Sequence, residues 1–201
     1  NGTAQVADEV MGWIEDYKAT VRDVPPLVMP PRFAEACVSD IPKGDIHDVA
    51  QDYCRRFYEL APVGRAPVFF GRSREFKSFA AAAIAREVHR AHFEVAWCSC
   101  ATDVLRVEMD KWSPASRGYM RKLSEVPFLV MDDFWEIGGD GFGRALLVAV
   151  AAARYDALKP TIWTANLDVP EGKEWSSLAT RYGVSFARRL KDGGREMTVV
   201  V

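Results

Sequence analysis

The sequence predicts an α/β fold, a three-layer sandwich in which a mostly parallel five-stranded sheet is covered by helices on both faces. Three observations predict it. Short apolar, β-rich runs at 67–70, 93–100, 128–131, 160–165 and 197–201 alternate with helical patterns. The first run passes through a glycine-opened loop into an alanine-rich helix, the layout of a phosphate-binding turn. Two later runs stop in polar residues, Asp132-Asp133 and Asn166, and functional groups in a parallel sheet collect beyond the C-terminal strand ends.

The elements follow in order. Val6, Val10, Trp13, Ile14 and Tyr17 lie on one face of a helix over 4–21, which either binds a partner or packs on the domain's own core. Pro25-Pro26 ends it, and the proline-rich 24–31 is extended, so residues 1–24 form an N-terminal helical segment and 25–201 the main domain. A second amphipathic helix, 45–60, places Ile46, Val49, Tyr53, Phe57 and Leu60 on one side, and the loop 61–66 leads to the first strand. The helix 79–88 has no proline or glycine. In the strand 93–100, Cys98 and Cys100 share a face, and Thr102 caps a helix running to about 111. Residues 112–121 read as a loop or helical turn. After strand 128–131 come a glycine-rich turn at 138–141 and a helix over 143–157. Strand 160–165 is followed by helices at 175–182 and 185–190, a turn at Gly193-Gly194 and the last strand.

Composition excludes little. At 201 residues, 49% hydrophobic and 27% charged, the chain can bury one substantial core. A net charge of −2 gives no overall attraction to phosphate, so nucleic-acid binding needs a local basic patch. Arg117, Arg121 and Lys122, beside Trp112, supply a candidate for single-stranded DNA, with a solvated loop as the alternative. No run approaches the length of a membrane span and the N-terminus lacks a signal-peptide layout, so the expectation is a cytoplasmic protein without membrane contact. Cys37, Cys54, Cys98 and Cys100 form no CxxC pair and read as reduced thiols. His89 and His92 have a metal-compatible spacing but read as solvated residues near a helix C-terminus. A first residue of Asn1 reads as a trimmed or partial chain.

The candidate chemistry sits at three strand ends. Gly71, Lys77 and Ser78 fit the spacing GxxxxGK[ST], in which backbone N–H groups, a lysine and a helix N-terminus face phosphate. Phe76 stands where the second glycine belongs, and Arg72, Ser73, Arg74 and Glu75 are bulky for a phosphate cradle. Glycine there permits positive φ and close backbone approach, so the benzyl group is expected to crowd the loop. An apolar strand ending in Asp132-Asp133 is the Walker B pattern: Asp132, with the hydroxyl of Ser78, would hold Mg²⁺, and Asp133 would orient or deprotonate a water. Asn166 would bridge that water and the γ-phosphate of ATP.

The order of these motifs is that of AAA+ proteins, and the resemblance narrows further. GRSREFKSFAAAAIAREVHRAHFEVAWCSCATDVLR resembles the P-loop region of DnaC/IstB-type helicase loaders. FLVMDDFW and ARYDALKPTIWTANLD resemble their Walker B and sensor 1 regions, MPPRFAEACVSD their lead-in, and RYGVSFARRLKDGGREMTVVV their terminal arginine-finger region. The resemblance covers roughly 28–201 and implies an AAA+ domain without a C-terminal lid, with Lys77 and Ser78 on phosphate and Mg²⁺, Asp132 and Asp133 as Walker B, and Asn166 as sensor 1. It implies Arg189 as the finger supplied to a neighbouring subunit, with Arg188 competing. It further implies ATP and Mg²⁺ as cofactors, a replicative DNA helicase and single-stranded DNA as partners, and self-association into a spiral or ring. The expected function is therefore a helicase loader or replication accessory protein of phage or mobile-element type. A non-hydrolysing AAA+ scaffold and an IstB-like transposition ATPase are the alternatives.

Overall fold

The computed structural model describes residues 24–201 except 111, 112, 139, 140 and 171, together with 11, 12 and 15. The helix expected over 4–21, and with it the segment 1–24, lies almost wholly outside the described residues, as does Trp112. Among the described residues, five strands, β1 (Val68–Gly71), β2 (Val95–Ser99), β3 (Phe128–Asp132), β4 (Thr161–Asn166) and β5 (Thr198–Val200), form one sheet in the order β2-β3-β4-β1-β5, and every pairing is parallel.

Alternate strand residues enter two cores, as the period of two requires. Phe69, Trp97, Val130, Ile162 and Val199 face helices Asp45–Arg55 and Lys77–Arg90. Phe70, Cys98, Met131, Trp163 and Ala165 face helices Cys100–Met109, Pro114–Glu125, Gly141–Asp156, Glu174–Tyr182 and Val184–Gly194. Buried on both faces, the strands read as continuous apolar runs. Ala80, Ala81, Ala82, Ala83 and Ala85 are fully buried, and their small side chains bring the helix after β1 close against the sheet.

Three local expectations are corrected. Thr102 is not the cap of its helix, which starts two residues earlier: Ser99 occupies the N-cap, its amide donates to Asp103 Oδ2 at 2.9 Å, and Thr102 donates to the Ser99 carbonyl. The segment expected as a loop or helical turn is the helix Pro114–Glu125, started by the Ser113 hydroxyl, which accepts from the Ser116 amide at 3.0 Å, and by proline at its first position. Gly193-Gly194 does not form a free turn but completes the helix Val184–Gly194, because a Cβ on Gly194 would stand 2.8 Å from Val68 Cγ2.

The buried Arg154 pins the N-terminal ends of β3 and β4. Arg154 donates to Thr161 Oγ1 at 2.6 Å and to the carbonyls of Leu123, Val126 and Pro160 at 3.0, 2.7 and 2.8 Å. Burial pushes its pKa down to about 9, and these acceptors keep the guanidinium satisfied. Among the described residues, no helix is long and apolar enough to cross a membrane.

Candidate functional site

The sheet order places β4 between β1 and β3, so the three strand ends singled out in the sequence converge. Gly71 is level with Asn166 in the β1–β4 register. A cleft of about 390 Å³ opens there, lined by Ser73, Arg74, Glu75, Phe76, Lys77, Ser78, Phe79, Asp133 and Asn166, with Arg32 and Phe33 from the lead-in.

The loop after β1 runs from Gly71 to the helix Lys77–Arg90. Gly71 has φ 147°, and a Cβ there would lie 2.2 Å from the Val201 carbonyl oxygen, so glycine is required. Arg74 and Phe76 also adopt left-handed backbone, with φ of 73° and 58°. Phe76 therefore takes the conformation expected of the missing glycine, at a strain of roughly 1–2 kcal/mol. Its ring stays 45% exposed and meets Phe79 edge-on at 6.1 Å. Phe76 thus carries backbone strain and also lines the cleft.

Lys77, the first residue of its helix, is only 4% exposed, and its Nζ donates to the Arg72 carbonyl. Burial lowers its pKa, while the charges of Glu75, Asp133 and Asp132 act the other way. Glu75 brings its carboxylate into the loop, and its Oε2 is buried with no hydrogen-bond partner among the described residues. Arg72 points away and pairs with exposed Asp168 at 3.4 Å.

The carboxylates occupy the adjoining wall. Asp132 is 4% exposed and accepts a hydrogen bond on Oδ1 from Thr164 Oγ1 at 2.7 Å. Asp133, with φ 56°, donates its amide to the same Thr164 oxygen at 2.9 Å. Burial raises the Asp133 pKa, and repulsion from Asp132 and Glu136 adds to it; Lys77 and the Asn166 side chain oppose the rise. Sequence reasoning missed Thr164 as a connector. The signal was its place two residues before Asn166 in a strand, which puts both on one face. Arg32, whose guanidinium sits 4.6 Å over the Phe33 ring, was also missed, since nothing local to the lead-in announces a cleft contact.

Other expected residues lie elsewhere. Arg189 belongs to the helix Val184–Gly194, near Thr161 and Val68 at the N-terminal ends of β4 and β1, away from the cleft. It donates to Ser185 Oγ at 2.5 Å, stands 5.9 Å from the Tyr155 ring centre, and has a buried Nε without a partner among the described residues. Arg188 is exposed. Arg117, Arg121 and Lys122 are exposed on the helix Pro114–Glu125, and Lys122 reaches Glu94 at 3.8 Å. His89 contacts the Pro25 carbonyl at 3.0 Å, tying the proline-rich stretch to the helix after β1.

The residues fit a nucleotide with Mg²⁺. Lys77 supplies a cation, and Ser78 and Asp132 supply hard oxygens. Among the described residues no group of three or more His, Cys, Asp or Glu could hold a metal, so the ion would depend on water and the nucleotide's own phosphates.

No protein-family model and no curated protein matches the sequence. Solved structures do match. The chain superposes on a DnaC helicase loader with a TM-score of 0.72 at 20% identity, covering 86% of this chain and 99% of that one. It matches DnaI with a TM-score of 0.66 at 19% identity, covering 87% and 94%. A replication initiator DnaA bound to AMPPCP and single-stranded DNA matches at 0.67 and 12% identity over 86% of this chain, which spans 50% of that one. With its five-stranded parallel sheet, the chain shares the fold of the DnaC helicase loader and DnaI structures.

Proposed function

We propose that the protein is a DnaC-like helicase loader or related replication accessory protein of phage or mobile-element type, acting in the cytoplasm, with an AAA+ site that binds ATP weakly. The observation that carries this reading is the meeting of Lys77, Asp132, Asp133 and Asn166 at the C-terminal ends of β1, β3 and β4. In it, backbone amides of the loop and Lys77 would bind the phosphates, and Ser78 and Asp132 would hold Mg²⁺ when it is bound. Bound Mg²⁺ would neutralise charge developing on the transferred phosphoryl group. Asp133, its proton affinity raised by burial, accepts a proton from the attacking water, and Asn166 orients that water. Arg189, or exposed Arg188, reaches the site of the next subunit in a spiral or ring, since neither lines its own cleft. A non-hydrolysing scaffold that binds helicase or DNA is the second reading, and strain at Phe76 favours it.

The test is reconstitution with a replicative helicase and single-stranded DNA. Co-purification with the helicase supports the loader role, and its absence with and without ATP refutes it. Replacing Arg117, Arg121 and Lys122 by alanine should weaken single-strand binding and flatten the log-log salt slope by roughly 2, as three lost phosphate contacts require. An unchanged slope eliminates this patch.

A further inference from the structure

We propose that Thr164 is a positioning residue for the carboxylate pair, holding Asp132 and Asp133 from the neighbouring strand so that their free oxygens face the metal and water positions. This rests on the nucleotide-site reading above. Thr164 is 0% exposed, and its hydroxyl is committed in both directions. It donates its single proton to Asp132 Oδ1 at 2.7 Å and accepts from the Asp133 amide at 2.9 Å. The first bond fixes the rotation of the Asp132 carboxylate and leaves Oδ2 as its remaining ligand atom. The second anchors the backbone where Asp133 adopts φ 56°, a conformation that a non-glycine residue holds against strain. Asn166, two residues along on the same strand, lines the cleft with Asp133. The end of β4 thus grips the carboxylate pair at two points, and Thr164 supplies both. Hydrogen bonds to a metal ligand from such outer partners commonly govern metal affinity by tenfold or more.

Thr164→Val keeps the shape and loses both bonds, whereas Thr164→Ser keeps the hydroxyl. Binding of a fluorescent ATP analogue is measured for the wild type and both variants, in EDTA and in Mg²⁺, with thermal melting to confirm folding. The expected result is equal affinity in EDTA for all three. The gain on adding Mg²⁺ should be about tenfold smaller in Thr164→Val and restored in Thr164→Ser. A Thr164→Val gain equal to wild type overturns the proposal, as does an equal loss with and without the metal. Hydrogen exchange at the Asp133 amide, measured without nucleotide, gives an independent readout. It should accelerate in Thr164→Val and stay slow in Thr164→Ser; equal protection in all three overturns the proposal. Failure of the wild type to bind any nucleotide counts against the nucleotide-site reading instead, and the exchange result then decides the role of Thr164.

Discussion

On the β3–β4 side of the cleft, Asp132 and Asp133 are bound to the buried Thr164 hydroxyl at 2.7 and 2.9 Å, whereas on the β1 side exposed Arg74 and Phe76 hold left-handed φ of 73° and 58°. One wall is set by side chains from two central strands. The other is a loop that holds left-handed backbone against the preference of its own residues. In the proposed function, a phosphate loop held against strain is populated less, and apparent affinity falls by that fraction. The proposal therefore pairs a well-held carboxylate wall with a weakened phosphate site.

The largest expected effect concerns what keeps the carboxylate wall rigid from its far end. Arg154→Met removes the guanidinium that ties the starts of β3 and β4 together and leaves the carbonyls of Leu123, Val126 and Pro160 without that donor. A loss of about 3 kcal/mol is expected in denaturant unfolding, in the range for breaking a buried polar network. A loss below 1 kcal/mol would mean that the wall is rigid without it.

Next comes Lys77→Ala. A charge-assisted contact to phosphate contributes roughly 2–3 kcal/mol, so nucleotide affinity should fall by about 100-fold. Because burial disfavours the ammonium in the free protein, the variant should melt no lower than wild type. A lower melting temperature would place Lys77 in the structure of the loop rather than in ligand binding.

The smallest effect is pH-dependent. Asp133 has a raised pKa when folded, so the folded state binds the proton more tightly than the unfolded chain, and stability falls as pH rises through that window. Asp133→Asn should accordingly be more stable than wild type at neutral pH. The gain is under about 1 kcal/mol after allowance for partial solvent exposure, and it vanishes below the ordinary carboxylate range. A constant difference from acid to neutral pH would assign the effect to something other than this titration.

Much of this was legible in the residues. Strands buried on both faces write themselves as apolar runs, and the acids that end β3 and the asparagine that ends β4 stand beside them. The β4 insertion between β1 and β3 is not local information, so Thr164 could be read as a strand residue but not as the partner of Asp132. The helix from Cys100 has its N-cap at Ser99 rather than Thr102, and Asp103, one turn on, reaches back to accept the Ser99 amide. The left-handed φ of 58° at Phe76 was not legible, because a side-chain pattern does not specify backbone angles.

Calorimetry of ATP with Mg²⁺, comparing the native chain with Phe76→Gly, tests most directly whether the phosphate loop is the weak half. Glycine adopts the φ of 58° at this position without penalty, and relief of roughly 1–2 kcal/mol corresponds to about a tenfold tightening. Weak binding by the native chain and about tenfold tighter binding by the variant is the expected result. Tight binding by the native chain with no gain in Phe76→Gly would contradict it.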